Sequence, residues 1–131
     1  ALNQAGKGLY DEVEVHRGVQ PLIIREYFRK EGARYEINNT IGDLLQFSHM
    51  NLIEDWPALP RADIVFMRNV LRYLNSESRR KVLTNLKAVL KPDGYLFLGA
   101  QESLVGIDET YTMVPCEKTV YYQLTRNARG G

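Results

Sequence analysis

Polar side chains follow three apolar segments of this chain, and residues in such positions can bind ligands. In open α/β sheets, ligands bind outside the carboxyl ends of the strands, where the chain leaves the sheet. The sequence predicts three such ends, which would lie along one edge of a sheet: Asn51-Leu52, Met67-Arg68-Asn69 and Gly99-Ala100-Gln101-Glu102. These residues are therefore the first candidates for a binding site, whatever the ligand.

Residue types suited to metal binding or to an activated nucleophile are few. Two histidines and one cysteine are present, and they lie far apart in the sequence: His16, His49 and Cys116. Their spacing does not match a zinc site, and no Ser/His/Asp or Cys/His set is evident. Gly6-Lys7-Gly8 lacks the third glycine and the preceding strand of a dinucleotide-binding fingerprint. We therefore expect no metal.

The second half of the chain predicts the strand–helix–strand unit that would position these candidates. Ala62–Met67 is mostly apolar, which is typical of a strand buried on both faces. Asn75 can cap a helix that Pro92-Asp93-Gly94 would end with a turn. Its apolar stripe has helical spacing: Val82, Leu83, Leu86, Val89 and Leu90. On the same helix, Arg79-Arg80-Lys81 is predicted to form a solvated face.

Two further strands complete that prediction, at residues 95–99 and at Thr119–Leu124. A strand, a capped helix and a second strand form a βαβ unit, so we expect a parallel sheet covered by helices.

The first half of the chain contains shorter segments. A helix is predicted at residues 21–30, with Pro21 in its first turn and Gly32 beyond its end. Alternating residues predict strands at 34–38 and 45–50, and residues 39–45 are compatible with either a helical turn or a strand. These pieces favour a small antiparallel attachment to the main sheet.

The bulk composition excludes several classes of protein. The 131 residues are 44% hydrophobic and 25% charged with a net charge of +1, which fits one soluble domain and not a nucleic-acid binder. No apolar run reaches the length of a membrane span, and no signal peptide or internal disulfide is indicated. We expect a cytoplasmic protein, and the absence of an initiator Met favours a fragment of a longer chain.

Several segments then resemble one family in order. Residues 63–73 are similar to its segment Asp-x-Ile-Phe-Cys-Arg-Asn-Val-Leu-Ile-Tyr, and residues 90–99 to its Leu-x-Pro-Gly-Gly-x-Leu-x-Leu-Gly. Glu102-Ser103-Leu104 resembles its Ser-Glu-Ser-Leu, and earlier segments also fall in family order: Gly8-Leu9-Tyr10, Tyr27-Phe28, Phe47 and Asn51-Leu52. From about Leu2 to Leu124, the chain resembles the CheR-type chemotaxis methyltransferases.

The resemblance implies a fold and an activity. The fold would be α/β, the C-terminal portion of a Rossmann-like class I methyltransferase sheet with a small antiparallel β-subdomain inserted. Residues 1–125 would form a partial catalytic domain, with 11–45 including the β-subdomain, and 126–131 a disordered tail. The enzyme would transfer a methyl group from S-adenosylmethionine to glutamate side chains of chemoreceptor cytoplasmic helices. Its partners would be the receptor and the missing N-terminal half of the enzyme, without which the fragment is expected to be inactive.

The resemblance also implies roles for particular residues. Asn51 and Leu52 would contact the adenine end of the cofactor, Met67 and Arg68 would lie beside it, and Tyr73 would stand near the transferring methyl. Simpler structural roles remain open: a turn for Asn51, the core for Leu52, a solvated charge or ion pair for Arg68, and packing for Tyr73. For Glu102, structural hydrogen bonding and a position in the site are equally compatible with the sequence.

Departures from the family pattern leave two other functions open. Met67 replaces the usual Cys, Arg72 and Leu74 replace Ile and Phe, and Ala100-Gln101 replaces His-Ser. One alternative is a non-catalytic module that docks to the receptor or regulates it. The other is a class I methyltransferase with a different acceptor, because an Asp-x-Val-Phe strand and a Pro-Asp-Gly turn are common to many such enzymes.

Overall fold

The computed structural model of the chain describes residues 1–129, and of residues 128 and 129 it describes only the backbone. The chain divides into two compact units, Ala1–Met50 and Asn51–Gly131. The first unit contains a three-stranded sheet and the second a four-stranded sheet.

The first unit is a small antiparallel sheet with short helices. Its helices are α1 (Leu2–Lys7), α2 (Glu12–Gly18), α3 (Pro21–Tyr27) and α4 (Asn39–Gly42). Its strands are β1 (Leu9–Asp11), β2 (Phe28–Glu31) and β3 (Arg34–Ile37), in the order β1-β3-β2. Asp11 begins α2 with a capping box, in which its carboxylate accepts from the Glu14 amide at 2.8 Å. Val15 and Ile24 are buried in this unit.

Two predictions for the first unit are wrong, one in the length of a helix and one in the presence of a strand. The helix predicted at residues 21–30 ends at Tyr27, because Phe28–Glu31 pairs with Arg34–Ile37 across a turn in which Gly32 has a φ of 59°. The strand predicted at residues 45–50 does not form, because a strand needs a hydrogen-bonded neighbour and this segment pairs with neither sheet. The predicted strand at 34–38 is confirmed as β3.

The second unit is built on a mixed sheet. Its elements are β4 (Ala62–Met67), a 3₁₀ turn (Leu71–Tyr73), α5 (Ser76–Val89), β5 (Leu90–Leu98), β6 (Tyr111–Cys116), β7 (Thr119–Leu124) and α6 (Arg126–Arg129). The strand order is β4-β5-β7-β6, with β4 and β5 parallel and the other neighbours antiparallel. The predicted βαβ unit is confirmed, as is the strand at 119–124. The expected parallel sheet is corrected to a mixed one, because β7 runs antiparallel to β5 and pairs with β6, a strand that the sequence did not predict.

One face of this sheet is covered by α5. Asn75 caps the helix, accepting from the Ser78 amide at 2.8 Å as predicted. The core contains four residues of the predicted stripe: Val82, Leu83 and Leu86 in α5, and Leu90, which begins β5 and is not part of the helix. The Pro92-Asp93-Gly94 turn is absorbed into β5, where the register with β4 shifts between Ala62 and Ile64. There is no room for a Cβ at Gly94, because it would lie 3.0 Å from the Asp63 carbonyl oxygen.

The opposite face of the sheet is exposed, which corrects the expectation that β4 is buried on both faces. Phe66 is 70% exposed and Ile64 is 52% exposed. Phe66 stacks on Phe97 with ring centroids 5.2 Å apart, and Tyr95 meets Tyr121 edge-on at 5.0 Å. We refer to Ile64, Phe66, Tyr95, Phe97 and Tyr121 as the aromatic face.

One more prediction concerns the C-terminal segment. Residues 126–131 were expected to form a disordered tail, and the structure has a four-residue helix at Arg126–Arg129, whereas residues 130 and 131 lie outside the described residues. Among the residues that are described, no helix has the length and apolar character that crossing a bilayer requires.

Candidate functional site at the carboxyl ends of β4 and β5

Glu102 joins the ends of the two parallel strands. Its Oε2 accepts from the backbone amides of Asn69 at 2.7 Å and Gly99 at 2.8 Å, and its Oε1 accepts from the Arg72 amide at 3.1 Å. Asn69 and Gly99 directly follow the ends of β4 and β5. Of the two roles that the sequence left open for Glu102, structural hydrogen bonding is therefore the one observed.

The Glu102 carboxylate is held in its ionised form. Burial opposes ionisation, but hydrogen bonds from the backbone amides of Gly99, Asn69 and Arg72 outweigh it and hold the pKa of Glu102 below its ordinary value. The backbone around it is closely fitted. Asn69 adopts a left-handed φ of 60°, and a Cβ at Gly99 would collide with the Asn69 side chain and with Glu102 Oε2.

Arg79 binds the segment that follows β4 through two of its backbone carbonyl groups. Its guanidinium donates from Nε to the Leu71 carbonyl at 3.2 Å and from Nη2 to the Leu74 carbonyl at 3.2 Å. The expectation that Arg79 belongs to a solvated helix face is therefore wrong, because this half-buried side chain turns back to the 3₁₀ turn. A run of three basic residues on a helix gave no sign of which one would do so.

Met67 is the last residue of β4 and Arg68 follows it, and the two residues differ in their exposure to solvent. Met67 is 7% exposed as a whole residue and its side chain belongs to the core, so the side chain is not available to a ligand. Arg68 is exposed, next to the Asn69 amide that Glu102 binds. The cofactor roles predicted for both residues stay predictions, with the Met67 role restricted to main-chain atoms.

Tyr73 presents its ring to solvent at the end of the 3₁₀ turn. The residue is 77% exposed, and the Arg72 guanidinium lies 5.4 Å from the centre of its ring. A residue this exposed does not serve core packing, so the alternative of a packing role loses support. Its predicted place beside the transferring methyl stays a prediction.

Asn51 and Leu52 lie in a turn and do not follow a strand, which corrects the expected strand end. The Asn51 Oδ1 accepts from the Ile53 amide at 3.3 Å, and the Leu52 carbonyl accepts from Trp56 Nε1 at 2.9 Å. Leu52 and Trp56 pack against the core cluster that includes Met67. Asn85 of α5 donates to the Glu54 carbonyl at 3.3 Å and ties this turn to the helix.

The structure thus brings together part of the predicted edge. Arg68 and Tyr73 directly adjoin Asn69 and Arg72, whose backbone amides donate to Glu102 at the ends of β4 and β5. Between residues 1 and 129, no hydrogen bond or ion pair links Asn51 to Arg68 or Glu102. The sequence predicted that Asn51, Arg68 and Glu102 lie at one edge of the sheet. The structure supports this for Arg68 and Glu102.

A βαβ unit with exposed polar residues beyond its parallel strand ends defines the class of α/β ligand-binding domains. The chain matches the family described as CheR methyltransferase, SAM binding domain, over residues 1–120. The chain therefore belongs to the CheR methyltransferase family, and the expected fold class, a portion of a Rossmann-like methyltransferase sheet with a small antiparallel sheet, is confirmed.

Individual relatives agree with this assignment. The chain is 37% identical over 124 residues to chemotaxis protein methyltransferase 1 of Vibrio cholerae, covering 94% of this chain and 45% of that relative. It is 37% identical over 123 residues to chemotaxis protein methyltransferase 1 of Pseudomonas aeruginosa, covering 93% and 45%. A chemotaxis protein methyltransferase of Borreliella burgdorferi is 26% identical over 106 residues. The chain spans slightly less than half the length of the first two relatives.

The methyl donor of this family is S-adenosylmethionine, as its SAM-binding domain indicates. The chemistry of the predicted residues fits what such a nucleoside-bearing group needs. Asn51 is exposed, and its Nδ2 has no hydrogen-bond partner in the part of the chain that the structure describes. Leu52 beside it is half-buried and apolar, and Arg68 and Tyr73 are exposed beyond β4. An adenine site needs an apolar wall and a polar group of this kind.

Proposed function

We propose that this chain is part of a chemotaxis methyltransferase that methylates glutamate side chains of chemoreceptors, forming methyl esters. The observation that carries the proposal is the family match over residues 1–120, together with relatives named chemotaxis protein methyltransferase at 37% identity. A cytoplasmic location is part of the same proposal, since the receptor segments in question are cytoplasmic helices.

The chemistry suits a site without an activated nucleophile. A receptor glutamate with an ordinary pKa of about 4.3 is ionised at neutral pH, so no general base is needed. When bound, S-adenosylmethionine supplies a methyl group on a sulfonium that a carboxylate can accept directly. The protein then has chiefly to align its substrates, and the cost of misalignment is high.

Each predicted site residue has a task in this scheme. The Asn51 amide would hydrogen-bond the adenine edge, with Leu52 as an apolar wall. The backbone at Met67 and the exposed Arg68 would line the next part of the site. Because a guanidinium close to a sulfonium is unfavourable, Arg68 would instead attract the glutamate carboxylate. Tyr73 would stand beside the reacting groups, and its exposed ring is available for that contact.

Further polypeptide is part of the proposal, because the aromatic face is uncovered in this chain. Strands of parallel sheets in α/β proteins are normally covered on both faces, but Phe66 is 70% exposed. The Vibrio cholerae relative has more than half of its length outside the aligned segment, which covers 45% of it. We infer that the corresponding N-terminal half covers the aromatic face and that this chain alone is inactive.

The activity is tested with the natural polypeptide that carries this sequence, expressed at its full length. Incubated with S-adenosylmethionine labelled in the methyl group and with purified receptor cytoplasmic fragments, it should place label on the receptor. The label should be released as methanol by mild base, as expected for an ester. Label that resists base, or that goes to small molecules or nucleic acid, would overturn the receptor-glutamate assignment.

Tyr73 is tested in the same assay. Replacing Tyr73 with Ala should lower kcat about tenfold or more, because the ring would no longer border the reacting groups. The matched control is Val105→Ala, which removes another exposed side chain of the second unit and should leave kcat unchanged. Equal rates for both variants would remove Tyr73 from the site.

Calorimetry with S-adenosylhomocysteine tests the need for further polypeptide. This chain alone should show no measurable binding, whereas the full-length polypeptide should bind. Tight binding by the isolated chain would contradict the proposed shared site. Binding without transfer by the full-length polypeptide would instead favour a non-catalytic docking or regulatory module.

A further inference from the structure

Residues 69–74 are held by two side chains of opposite charge. The Glu102 carboxylate accepts from the Asn69 and Arg72 amides, and the Arg79 guanidinium donates to the Leu71 and Leu74 carbonyls. The segment lies between β4 and α5, and within it only Leu71–Tyr73 forms a short 3₁₀ turn. Four of its backbone polar groups are thus satisfied by an anion that faces amides and a cation that faces carbonyls.

We propose that Glu102 and Arg79 are positioning residues of the methyltransferase, which fix residues 69–74, the segment that carries Tyr73 and directly follows Arg68. This inference rests on the proposed function, since it assigns Arg68 and Tyr73 to the site. It adds Glu102, which lies beyond β5 and whose role the sequence left open, and Arg79 in the first half of α5, to which the sequence gave no role in the reaction.

The exposure of Arg68 and Tyr73 is the first argument for this role. Their side chains are exposed, and Tyr73 is 77% exposed, so surrounding side chains contribute little to their placement. The position of an exposed side chain is set chiefly by its own backbone. Besides the buried Leu71 side chain and the hydrogen bonds of the 3₁₀ turn, the groups that hold this backbone are the carboxylate of Glu102 and the guanidinium of Arg79.

The strength of these hydrogen bonds is the second argument. Hydrogen bonds to an ionised group are shorter and stronger than those between neutral groups. The Glu102 contacts at 2.7 and 2.8 Å are in that range. Glu102 also binds the Gly99 amide, so one carboxylate links the residues that directly follow β4 and β5.

The two side chains also differ from ordinary surface charges in their geometry. Arg79 uses Nε and Nη2 for two carbonyls that are three residues apart, which a lysine ammonium cannot reproduce because it lacks the planar fork. Glu102 uses both oxygens as acceptors for three amides. A glutamine at 102 would place an NH₂ group against at least one backbone N–H, which replaces a hydrogen bond with a clash of donors.

The test compares conservative variants with matched controls in the full-length natural polypeptide. Glu102→Gln and Arg79→Lys keep the size or charge of the side chain but break the contacts. Glu109→Gln and Arg80→Lys make the same chemical changes at exposed positions nearby. We expect kcat for methyl transfer to fall about tenfold to a hundredfold in the first pair, with KM for S-adenosylmethionine changed less than about threefold. The control pair should match the wild type.

Melting temperatures and a milder variant separate positioning from folding. If Glu102→Gln melts well below the wild type, Glu102→Asp is measured instead, since it keeps the charge but shortens the reach. A kcat loss in a variant whose melting temperature matches that of its control supports positioning. Unchanged kcat in both Glu102→Gln and Arg79→Lys overturns it, as does a loss that follows melting temperature alone.

An amide spectrum of this chain gives a readout that does not depend on activity. In Glu102→Gln the ¹⁵N–¹H resonances of Asn69, Arg72 and Gly99 should shift together and that of Tyr73 should follow, whereas Glu109→Gln should leave all four in place. Unmoved Tyr73 resonances would contradict the inference. If the wild-type enzyme methylates another acceptor, the proposed function fails, but the ratio of variant to wild-type kcat on that acceptor still tests the positioning role.

Discussion

The two faces of the four-stranded sheet share the same strands but differ in what lies against them. On one face, Leu96, Tyr122 and Leu124 are at most 4% exposed and belong to a core that includes residues of α5. On the aromatic face, Phe66 and Ile64 are more than half exposed. The difference shows that successive side chains of a strand can point to two opposite faces as expected, although only one of these faces is packed within the chain.

The largest effect is expected on the covered face. Leu83 is fully buried in α5, so Leu83→Ala should lower the free energy of unfolding by about 2–5 kcal/mol through lost burial and the cavity left behind. Urea unfolding of this chain measures the change. A loss below about 1 kcal/mol would mean that the covered face is loosely packed, and the comparison would fail.

A smaller effect is expected where a carboxylate joins α5 to the loop before β6. Asp108 pairs with Lys87 at 3.0 Å and accepts from the Thr110 amide at 3.0 Å. Asp108→Asn should lower the free energy of unfolding by about 1–2 kcal/mol at pH 7. The control is Asp55→Asn, because Asp55 forms an exposed pair with Lys81 and should contribute less than about 1 kcal/mol.

The pH dependence of the Asp108 contribution has a definite sign. Burial opposes ionisation, but hydrogen bonds from Thr110 and Lys87 outweigh it, so the pKa of Asp108 is lowered in the folded state. Its contribution is therefore full above the ordinary pKa of about 3.9 and is lost as pH falls through the lowered pKa. The wild type's advantage over Asp108→Asn should shrink below about pH 4 in urea unfolding. A constant advantage down to pH 2 would contradict this assignment.

On the aromatic face the expected effect is smaller again. Phe66→Ala removes a ring that contacts Phe97 but is mostly in water, so it should lower the free energy of unfolding by no more than about 1 kcal/mol in this chain. In the full-length polypeptide the same change should cost several times more, if further polypeptide covers this face. Equal losses of unfolding free energy in the two chains would mean that no further polypeptide covers the aromatic face.

The smallest effect is expected at an exposed ion pair beside β4. Lys91 donates to Asp63 at 2.7 Å and lowers the pKa of that carboxyl group. Asp63→Asn should produce a slight fall in melting temperature at low ionic strength that disappears in 1 M NaCl, because salt screens exposed charges. A fall that persists in high salt would indicate a contact other than this ion pair.

Local signals predicted much of the second unit. Asn75 capped the helix as expected, the apolar stripe faced the core, and Ala62–Met67 formed a strand beside β5. These features depend on residues that are close in the sequence, where propensity and periodicity act directly. The ordered family segments added the fold class, which the comparison with known proteins confirmed.

The features that the sequence missed depend on which segments pair or pack against each other. Phe28–Glu31 left the predicted helix because it pairs with β3, and residues 45–50 alternate but have no strand beside them in either sheet. Local pattern does not report whether a neighbour is present. Exposure of Phe66 was missed for the same reason.

The candidate site shows the same division. Arg68 and Tyr73 were predicted because they follow an apolar strand in the order of a known family, and their roles in the site stay predictions. The role of Glu102 was left open because its acceptor bonds reach amides 30 and 33 residues earlier in the chain. Arg79 was missed because nothing in a basic triplet distinguishes the member that turns toward carbonyl groups.

The lack of a side chain at Gly99 also limits how this edge can be redesigned. A methyl group there would push into Asn69 and Glu102 together, so both strand ends would shift at once. Substitutions that probe the proposed site should therefore leave Gly99 untouched and vary Arg68 and Tyr73, which are exposed. At this edge of the sheet the backbone leaves no room for an added side chain, whereas the two exposed side chains can be substituted.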